Sequence, residues 1–372
     1  MPPEKYFSLV HEEIRHRSPA ILRKPQRQIL NTVYFGGGTP SLVSASHIVA
    51  VLQALTRAGF QLDPNVEITL EINPATVDTT KMEIYQSAGI NRFSVGAQTF
   101  DDALLRSVRR EHNSQQTRET LALLQNRQVN YSFDLLFALP GQTLEILRQD
   151  LAEVERLRPP HISPYCLTVP EGHVLSAHRP PEGIQIEMFE LLHQRLTAAG
   201  YQRYEISNYA LPGFESRHNS LYWEDQEYWG IGLSAHSYLH EGPFGERFWN
   251  ASAIGAYEAQ IQKLGESVAK QVLDGLPDSQ FEQLHKHQAL TDFCHTSLRL
   301  QSGLKQSGFV AKFGVALWNR ISPIITQQVE QGLLRSVGSS NDLAYSLTDQ
   351  GLLVSNQVFG AFTFLANEIE GF

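Results

Sequence analysis

A regular alternation of short apolar segments with amphipathic segments constrains the fold of this chain more than any other feature. Each apolar segment is rich in β-forming residues and is bounded by Gly, Pro or Asn, which is typical of strands. The units repeat at roughly 25–40 residues, the size of a βα unit. Such a series predicts an α/β fold with a parallel sheet, either open or closed as a barrel, and a ligand site at the carboxyl ends of its strands. The predicted strands are 32–35, 67–71, 92–95, 132–137 and 161–167, and the predicted helices are 45–58, 79–87, 114–127 and 144–157.

The pattern changes after Gly200, and the stretch 218–249 is dense in aromatic residues and glycine. From residue 289 the chain has the order helix, helix, hairpin with a polar tip at 337–341, and a final helix from Thr348. This is the order of a winged helix, so we expect a small α+β module at the C-terminus. The sequence therefore predicts three domains: a partial barrel over 1–200, an extension over 201–288 and a winged-helix-like domain over 289–372.

Composition argues against several classes of protein. There is no run of about 18 apolar residues, so no transmembrane helix is predicted, and the polar N-terminus shows no secretory signal. The chain has 30 basic and 39 acidic residues, a net charge of −9, and segment 317–331 has only Arg320 as a basic residue. Both observations argue against a nucleic-acid partner. Only two cysteines, Cys166 and Cys294, are present. They exclude a disulfide scaffold and suit a cytoplasmic protein.

Polar residues follow the predicted strands where the ligand site is expected. The segment YFGGGTPS has three glycines, Gly36–Gly38, between a strand and a helix. It is either a tight turn or a loop whose N–H groups approach a ligand. Glu71 ends the next strand, where its carboxylate either accepts hydrogen bonds from a ribose diol or an amine, or is merely solvated. Gln98 follows the third strand in the same way.

Two further positions call for partners. Asp134 lies inside an apolar strand, where an unpaired carboxylate is costly, and Arg110 is a candidate partner. The alternative for Asp134 is a purely structural ion pair. His218 and His236 lie in a short segment rich in aromatic residues and glycine. They are either ordinary surface or core histidines, or they line a pocket for a flat aromatic ligand in which a histidine is an axial metal ligand.

Taken together, the segments resemble one family. GGGTPS, EINP, GAQTF, RREH, DLLFALPGQT, HNSLYW and GIGLSAHS occur here in the order that is typical of radical S-adenosylmethionine (SAM) proteins around oxygen-independent coproporphyrinogen oxidase. HNSLYW and the ending LPGQT are closer to the HemW-like branch of heme chaperones. The resemblance extends from about residue 4 to residue 359, and it includes the C-terminal module.

The resemblance implies a partial (β/α) barrel of six units that binds SAM across its rim. It also implies heme or porphyrin as a ligand and heme-receiving proteins as partners. Ala138 stands where the family usually has glycine. The residues that match the family's SAM contacts are Gly37, Gly38, Thr39, Glu71, Gln98, Arg110, Asp134 and, at a weaker position, Thr168, and His218 matches the histidine associated with heme.

The chain departs from the family in one large respect. These families open with a strand that carries a CxxxCxxC loop, whose thiolates hold a [4Fe–4S] cluster, and this sequence has no such loop. The resemblance thus implies the cluster while its ligands, and the first strand, are absent. Segment 4–15 resembles the helix that follows the cysteines, and without the first strand 32–35 would be an unpaired edge. We therefore expect that the sequence starts late, the alternative being a cluster-free member.

Two functions follow from the resemblance. The first is a HemW-like heme-binding protein that delivers heme to haem proteins. The alternative is oxidative decarboxylation of coproporphyrinogen III through a 5′-deoxyadenosyl radical, which requires the cluster-binding N-terminus. The sequence as given offers no catalytic residue and no metal ligands for that chemistry.

Overall fold

Seven strands form one large sheet in the computed structural model, in the order β1-β2-β3-β4-β5-β7-β6. The structure describes residues 2–170, 172–265, 273–339 and 342–369. Strands β2 to β5 pair in parallel, whereas β7 is antiparallel to both β5 and β6. This sheet confirms the predicted α/β class and partial barrel, and β1 lies at its edge as predicted. The strands are β1 (Ile29–Phe35), β2 (Gln61–Ile72), β3 (Arg92–Gln98), β4 (Asn130–Phe137), β5 (His161–Cys166), β6 (Gln202–Arg203) and β7 (Tyr209–Ala210).

The four helices predicted at 45–58, 79–87, 114–127 and 144–157 begin and end within one residue of the predicted bounds, whereas the short helix at 102–107 was not predicted. Their N-termini explain this agreement, because side chains cap the free N–H groups of the first turn. Asp78 accepts from the Lys81 N–H, Thr143 accepts from the Ile146 N–H, and Asn113 forms a capping box. The helices up to residue 198 are α1 (Pro3–Ile21), α2 (Ala45–Arg57), α3 (Thr79–Ser87), α4 (Asp102–Ser107), α5 (Ser114–Asn126), α6 (Leu144–Leu157) and α7 (Glu182–Ala198).

The chain divides into two compact units. One contains 30–52 and 62–218, and the other contains the described parts of 1–29, 53–61 and 219–372. The first of these holds the large sheet, and we call it the sheet unit. The division into three domains that the sequence predicts stays a prediction.

The second unit contains two small antiparallel sheets. In its core, helix α1 packs on α9 (Ile254–Gly265), and Leu9 and Tyr257 belong to the same apolar cluster. One sheet has the order β10-β9-β8 and the other has the order β11-β13-β12. Among the described residues no helix is both long enough and apolar enough to cross a membrane. The remaining elements are α8 (Arg217–Trp223), which begins in the sheet unit, β8 (His236–Leu239), β9 (Glu246–Trp249), β10 (Phe281–Gln283), α10 (Lys286–Arg299), β11 (Leu304–Lys305), α11 (Gln306–Phe313), α12 (Val315–Glu330), β12 (Leu334–Ser339), β13 (Asp342–Leu347), α13 (Asp349–Leu353), α14 (Ser355–Ala361) and α15 (Ala366–Ile369).

The C-terminal module has the predicted winged-helix-like order. The two predicted helices correspond to α10 and α12, and the predicted hairpin corresponds to β12 and β13. Strand β11 and helix α11 were not predicted, because a two-residue strand and an eight-residue helix are too short to show a clear period. Residues 340 and 341 of the predicted hairpin tip lie outside the described residues.

Candidate functional site

Strands β2 to β5 present one apolar face and one polar face. On the apolar face, Ile68, Leu70, Phe93 and Val95 are fully buried. Side chains alternate along a strand and the parallel register aligns them, so the intervening polar side chains lie in rows across neighbouring strands. We call this side the polar face. Its residues are Glu67, Thr69, Glu71, Arg92, Ser94, Asn130, Ser132, Asp134, His161 and Ser163.

At the carboxyl end of β1 the glycine loop closes onto Glu71. The Gly37 N–H donates to Glu71 Oε2 at 3.1 Å, and Tyr34 Oη donates to Oε1 at 2.8 Å. A Cβ at Gly36 would lie 2.5 Å from Tyr34 Cε1 and 2.8 Å from Glu71 Oε1, so any other residue would displace one of these side chains. Gly37 and Gly38 have φ of 79° and 63°, and a Cβ at either would meet no heavy atom of the described chain within 4 Å. The loop therefore presents its backbone to open space beside a carboxylate.

The side chains of the predicted residues Gln98 and Arg110 both lie close to Gly96. A Cβ added at Gly96 would lie 3.0 Å from Gln98 Nε2, 3.2 Å from Asn73 Oδ1 and 4.0 Å from Arg110 Nη1. Gln98 is buried and has φ of 67°, and the register between β3 and β4 shifts just before it. Such an irregularity re-aims a side chain, and a left-handed non-glycine residue is strained. Asn73 Nδ2 also donates to Thr39 Oγ1 at 3.0 Å, which joins Asn73 to the residue that follows the glycine loop.

Asp134 lies in the next strand of the polar face and has several charged neighbours. Burial raises the pKa of its carboxyl to about 6, and the charge of Glu71 acts in the same direction. A hydrogen bond from Ser163 and the charges of Arg92 and Arg110 oppose that rise. Arg110, the partner expected from the sequence, thus acts on Asp134 through its charge, while Ser163 supplies the hydrogen bond.

Asp150, on helix α6, holds the segment that follows Gln98. This carboxylate is 1% exposed and accepts from Thr99 Oγ1 at 2.9 Å and from the Phe100 N–H at 2.7 Å. Burial raises its pKa to about 6. Because the bond partners follow Gln98 directly, Asp150 restrains the strained turn in which Gln98 lies.

His218 contacts the middle and the carboxyl-terminal part of β1. Its Nδ1 is 2.9 Å from Thr32 Oγ1, and its ring stacks on that of Tyr34 with centroids 4.8 Å apart and planes 17° apart. Its N–H donates to Glu67 Oε1 at 2.9 Å. Burial, together with the charge of Arg92, lowers the pKa of His218 to about 4. The imidazole is therefore neutral and held in one orientation.

Tyr34 joins the two predicted groups of site residues. Its ring contacts His218, and its hydroxyl donates to Glu71, which in turn holds Gly37. Burial and the nearby Glu71 charge raise the pKa of Tyr34, so the hydroxyl remains a donor. His218, the residue matched to heme, is thus linked through Tyr34 to Glu71 and Gly37, two of the residues matched to SAM.

Thr168 and the cysteines lie apart from that set. Thr168 follows β5, is exposed, and donates from Oγ1 to the Cys166 carbonyl at 3.3 Å. Cys166 is exposed, whereas Cys294 is buried in the second unit, where burial raises the pKa of its thiol. Among the described residues, no group of three His, Cys, Asp or Glu side chains is arranged to hold a metal ion.

Several residues of the site escaped the sequence analysis as site residues. Tyr34 and Asn73 lie inside segments that were singled out, but their types gave no sign of which atom each would contact. Arg92 is the first residue of an apolar strand, and a basic residue at that position could have indicated a buried charged group in the site. Asp150 and Ser163 could be found only from the structure, because their partners are more than 25 residues away in the chain.

Comparisons with known proteins find similar proteins in one superfamily. Residues 3–154 match the radical SAM superfamily. The heme chaperone HemW of Bacillus subtilis (strain 168) is 30% identical over 371 residues, which cover 97% of this chain and 92% of that protein. The heme chaperone HemW of Lactococcus lactis subsp. lactis (strain IL1403) is 33% identical over 344 residues, which cover 90% of this chain and 84% of that protein.

A solved structure agrees with the fold. The coproporphyrinogen III oxidase HemN of Escherichia coli, described as a radical SAM enzyme, matches with a TM-score of 0.77. The match covers 97% of this chain and 83% of that chain at 19% identity. At this identity the likeness shows the fold alone.

Proposed function

The chain belongs to the HemW family of radical SAM proteins, and on this premise we propose that it binds heme, with the imidazole of His218 as a ligand of the iron. The observation that carries the proposal is the state of this ring. A neutral imidazole is the form that ligates iron, and a hydrogen bond to its other nitrogen orients such a ligand. Thr32 supplies that bond at Nδ1, and Tyr34 fixes the ring plane.

The low pKa of His218 predicts how heme binding depends on pH. Protonation removes the lone pair that binds iron, and a ring with a pKa of about 4 is protonated only well below the usual range of histidine. We therefore expect hemin affinity to stay constant between pH 7 and about pH 5.5. A loss of affinity centred near pH 6.5 would contradict a buried neutral ligand.

The experiment is a hemin titration followed by the Soret band. His218→Ala should weaken binding at least about tenfold and change the band position, because an axial ligand is lost. His193→Ala is a matched control, since His193 Nδ1 also contacts a side-chain hydroxyl, that of Tyr209, at 3.1 Å. Equal affinities of the wild type and His218→Ala would overturn the assignment.

Delivery of heme to other proteins is the second part of the proposal. Two relatives carry the name heme chaperone, and a carrier must release its ligand to an acceptor. When the heme-loaded chain is mixed with an apo-haem protein, heme should reach that acceptor faster than heme dissociates from the chain into solution without an acceptor. Transfer no faster than that dissociation would leave a heme-binding protein without a delivery role.

Family membership implies SAM and a [4Fe–4S] cluster as cofactors. The residues present fit SAM: the glycine loop presents backbone to open space, and carboxylate, amide and guanidinium groups gather beside it. We propose that these groups hold the methionine and ribose parts of SAM. The residues assigned to this role are Gly37, Gly38, Thr39, Glu71, Gln98, Arg110, Asp134 and, more weakly, Thr168.

Calorimetric titration with SAM tests this assignment. Glu71→Gln keeps the shape of the side chain but removes the charge that orients the glycine loop, and we expect affinity to fall about tenfold or more. Glu83→Gln is the control, because Glu83 is exposed and pairs with Arg127 on the surface. Unchanged affinity in Glu71→Gln would contradict the assignment.

The residues present do not fit the cluster. A [4Fe–4S] cluster is held by cysteine thiolates, and this sequence has two cysteines that lie in different units. No radical step is therefore derived from this chain, and decarboxylation of coproporphyrinogen is not proposed for it.

A further inference from the structure

A row of unsatisfied polar atoms crosses the polar face at the first residues of β3 and β4. Arg92 on β3 lies opposite Thr69 on β2 and opposite Asn130 on β4. Among the described residues, Thr69 Oγ1, Arg92 Nε and Asn130 Oδ1 are buried without a hydrogen-bond partner. We call Thr69, Arg92 and Asn130 the lower row. His161, on β5, lies opposite Ser132, two residues beyond Asn130, and its Nδ1 is also buried without a hydrogen-bond partner in the described part of the chain.

Arg92 is the most costly member of the lower row. Its side chain is 2% exposed, and a guanidinium stays charged inside a protein. A buried donor without an acceptor bears the full cost of desolvation, and a buried charge bears more. Native structures keep such a group when a ligand or an ordered solvent molecule satisfies it.

The nearby carboxylates of the polar face already have donors. Glu67 accepts from the Arg217 and His218 N–H groups at 3.1 and 2.9 Å. Glu71 accepts from Tyr34 and Gly37, and Asp134 accepts from Ser163. The Arg92 Nε–H therefore remains available for an acceptor from outside the chain.

The two histidines near Arg92 are neutral and add no positive charge. Burial and the charge of Arg92 lower the pKa of His161 and His218. Tyr204 Oη lies 2.8 Å from His161 Nε2 and accepts from the Ser216 N–H at 3.3 Å. We assign the Tyr204 proton to the contact with Nε2, which leaves the proton of the neutral His161 ring on Nδ1 as a second donor beside Arg92.

We propose that Arg92, Thr69 and His161 form a site for a carboxylate group, and that a propionate of bound heme occupies it. A guanidinium, a hydroxyl and an imidazole N–H are donors, so the site selects an anion and excludes a metal ion. Carboxylates are the anions that a guanidinium recognises best by hydrogen bonding. The identity of the ligand rests on the proposed heme binding, since heme carries propionates and the iron ligand His218 lies on the same face.

The experiment compares hemin with hemin dimethyl ester, in which the carboxylates are masked. The wild type should bind the ester about 10- to 100-fold more weakly than hemin, the range expected when a hydrogen bond to a charged group is lost. In Arg92→Gln the two ligands should bind almost equally. The ratio of the four affinities isolates the contact between the propionate and Arg92.

Two variants accompany this cycle. Arg92→Lys keeps the charge but loses the planar fork, so part of the preference for hemin should remain. Arg127→Gln is the control, because Arg127 Nη1 and Nη2 donate to Gln86 and Glu83 outside the polar face, and it should keep the full preference. If Arg92→Gln fails to fold, Thr69→Val replaces it and should reduce the preference.

A probe without iron separates this proposal from heme binding. Sodium propionate should raise the melting temperature of the wild type more than sodium chloride at equal ionic strength, and it should not do so in Arg92→Gln. Equal binding of hemin and its ester by the wild type, or a preference that survives in Arg92→Gln, would overturn the proposal. If the wild type binds neither hemin nor its ester, the proposed function fails, and a propionate effect that depends on Arg92 still supports the carboxylate site.

Discussion

Two fully buried charged groups, Glu13 in the second unit and Arg92 in the sheet unit, differ in how the chain satisfies them. Glu13 accepts from the Gly232 N–H, from Asn250 Nδ2 and from Tyr257 Oη at 2.7–2.9 Å. Arg92 Nε has no such partner among the described residues. A buried charged group whose hydrogen bonds are all made within the protein stabilises the fold. A buried charged group that lacks a hydrogen-bond partner within the protein is available to a ligand.

The largest effect is expected from breaking the satisfied network. Glu13→Ala removes the acceptor of three hydrogen bonds and leaves Arg17, whose Nε lies 3.9 Å from Glu13 Oε1, as a buried charge. We expect the free energy of unfolding to fall by about 3–5 kcal/mol, measured by urea unfolding. Glu12→Ala is the control, because the Glu12 side chain is 43% exposed and its partners among the described residues, Arg15 and His16, lie in the same helix. It should change the value by less than about 0.5 kcal/mol. A loss below about 1 kcal/mol in Glu13→Ala would show that the hydrogen bonds of Glu13 do not stabilise the fold, and the proposed difference between Glu13 and Arg92 would be wrong.

Arg92→Met is expected to act in the opposite direction. Methionine fills much of the same volume without a charge, and replacing an unsatisfied buried ion by an apolar side chain is neutral or stabilising. The free energy of unfolding of the ligand-free protein should stay constant or rise by about 1–3 kcal/mol, while the preference for hemin over its ester is lost. A loss of more than about 2 kcal/mol would show that Arg92 supports the fold as Glu13 does.

The same contrast explains what the sequence could predict. The period of apolar residues fixes the strands and helices of the large sheet, because packing against the helices requires it. The motifs also locate Glu71, Gln98 and Asp134 correctly at strands of one sheet. They do not reveal the lower row, because an unsatisfied atom is defined by its distance to every other group, and a single sequence contains no such distances.

Asp134 sharpens the comparison through pH. Its pKa is about 6 in the folded chain and near 3.9 when unfolded, so the folded state binds more protons between pH 4 and pH 6. Stability contributed by this group therefore falls as pH rises through that range. Asp134→Asn cannot ionise, so we expect a flatter pH profile and a gain of about 1 kcal/mol at pH 7, together with weaker SAM binding. An unchanged profile would mean that the charge of Asp134 is compensated as fully as that of Glu13.

The smallest effect extends the comparison from side chains to the backbone. Ala138, which stands where the family usually has glycine, follows β4 with φ of 60° and is fully buried. A residue with a Cβ costs about 1–2 kcal/mol in this region of backbone conformation. Replacing it by glycine removes this cost, but the greater conformational entropy of glycine in the unfolded chain offsets part of the gain in stability. Ala138→Gly should therefore raise the free energy of unfolding by about 0.5–1 kcal/mol. Gly141→Ala, at φ of 78° and with no heavy atom of the described chain within 4 Å of the new Cβ, should lower it by about 0.5–1 kcal/mol for the same reasons. If Ala138→Gly instead destabilises the protein, the packing of the methyl group contributes more free energy than the backbone strain costs. The backbone after β4 would then be stabilised by its surroundings, as the carboxylate of Glu13 is.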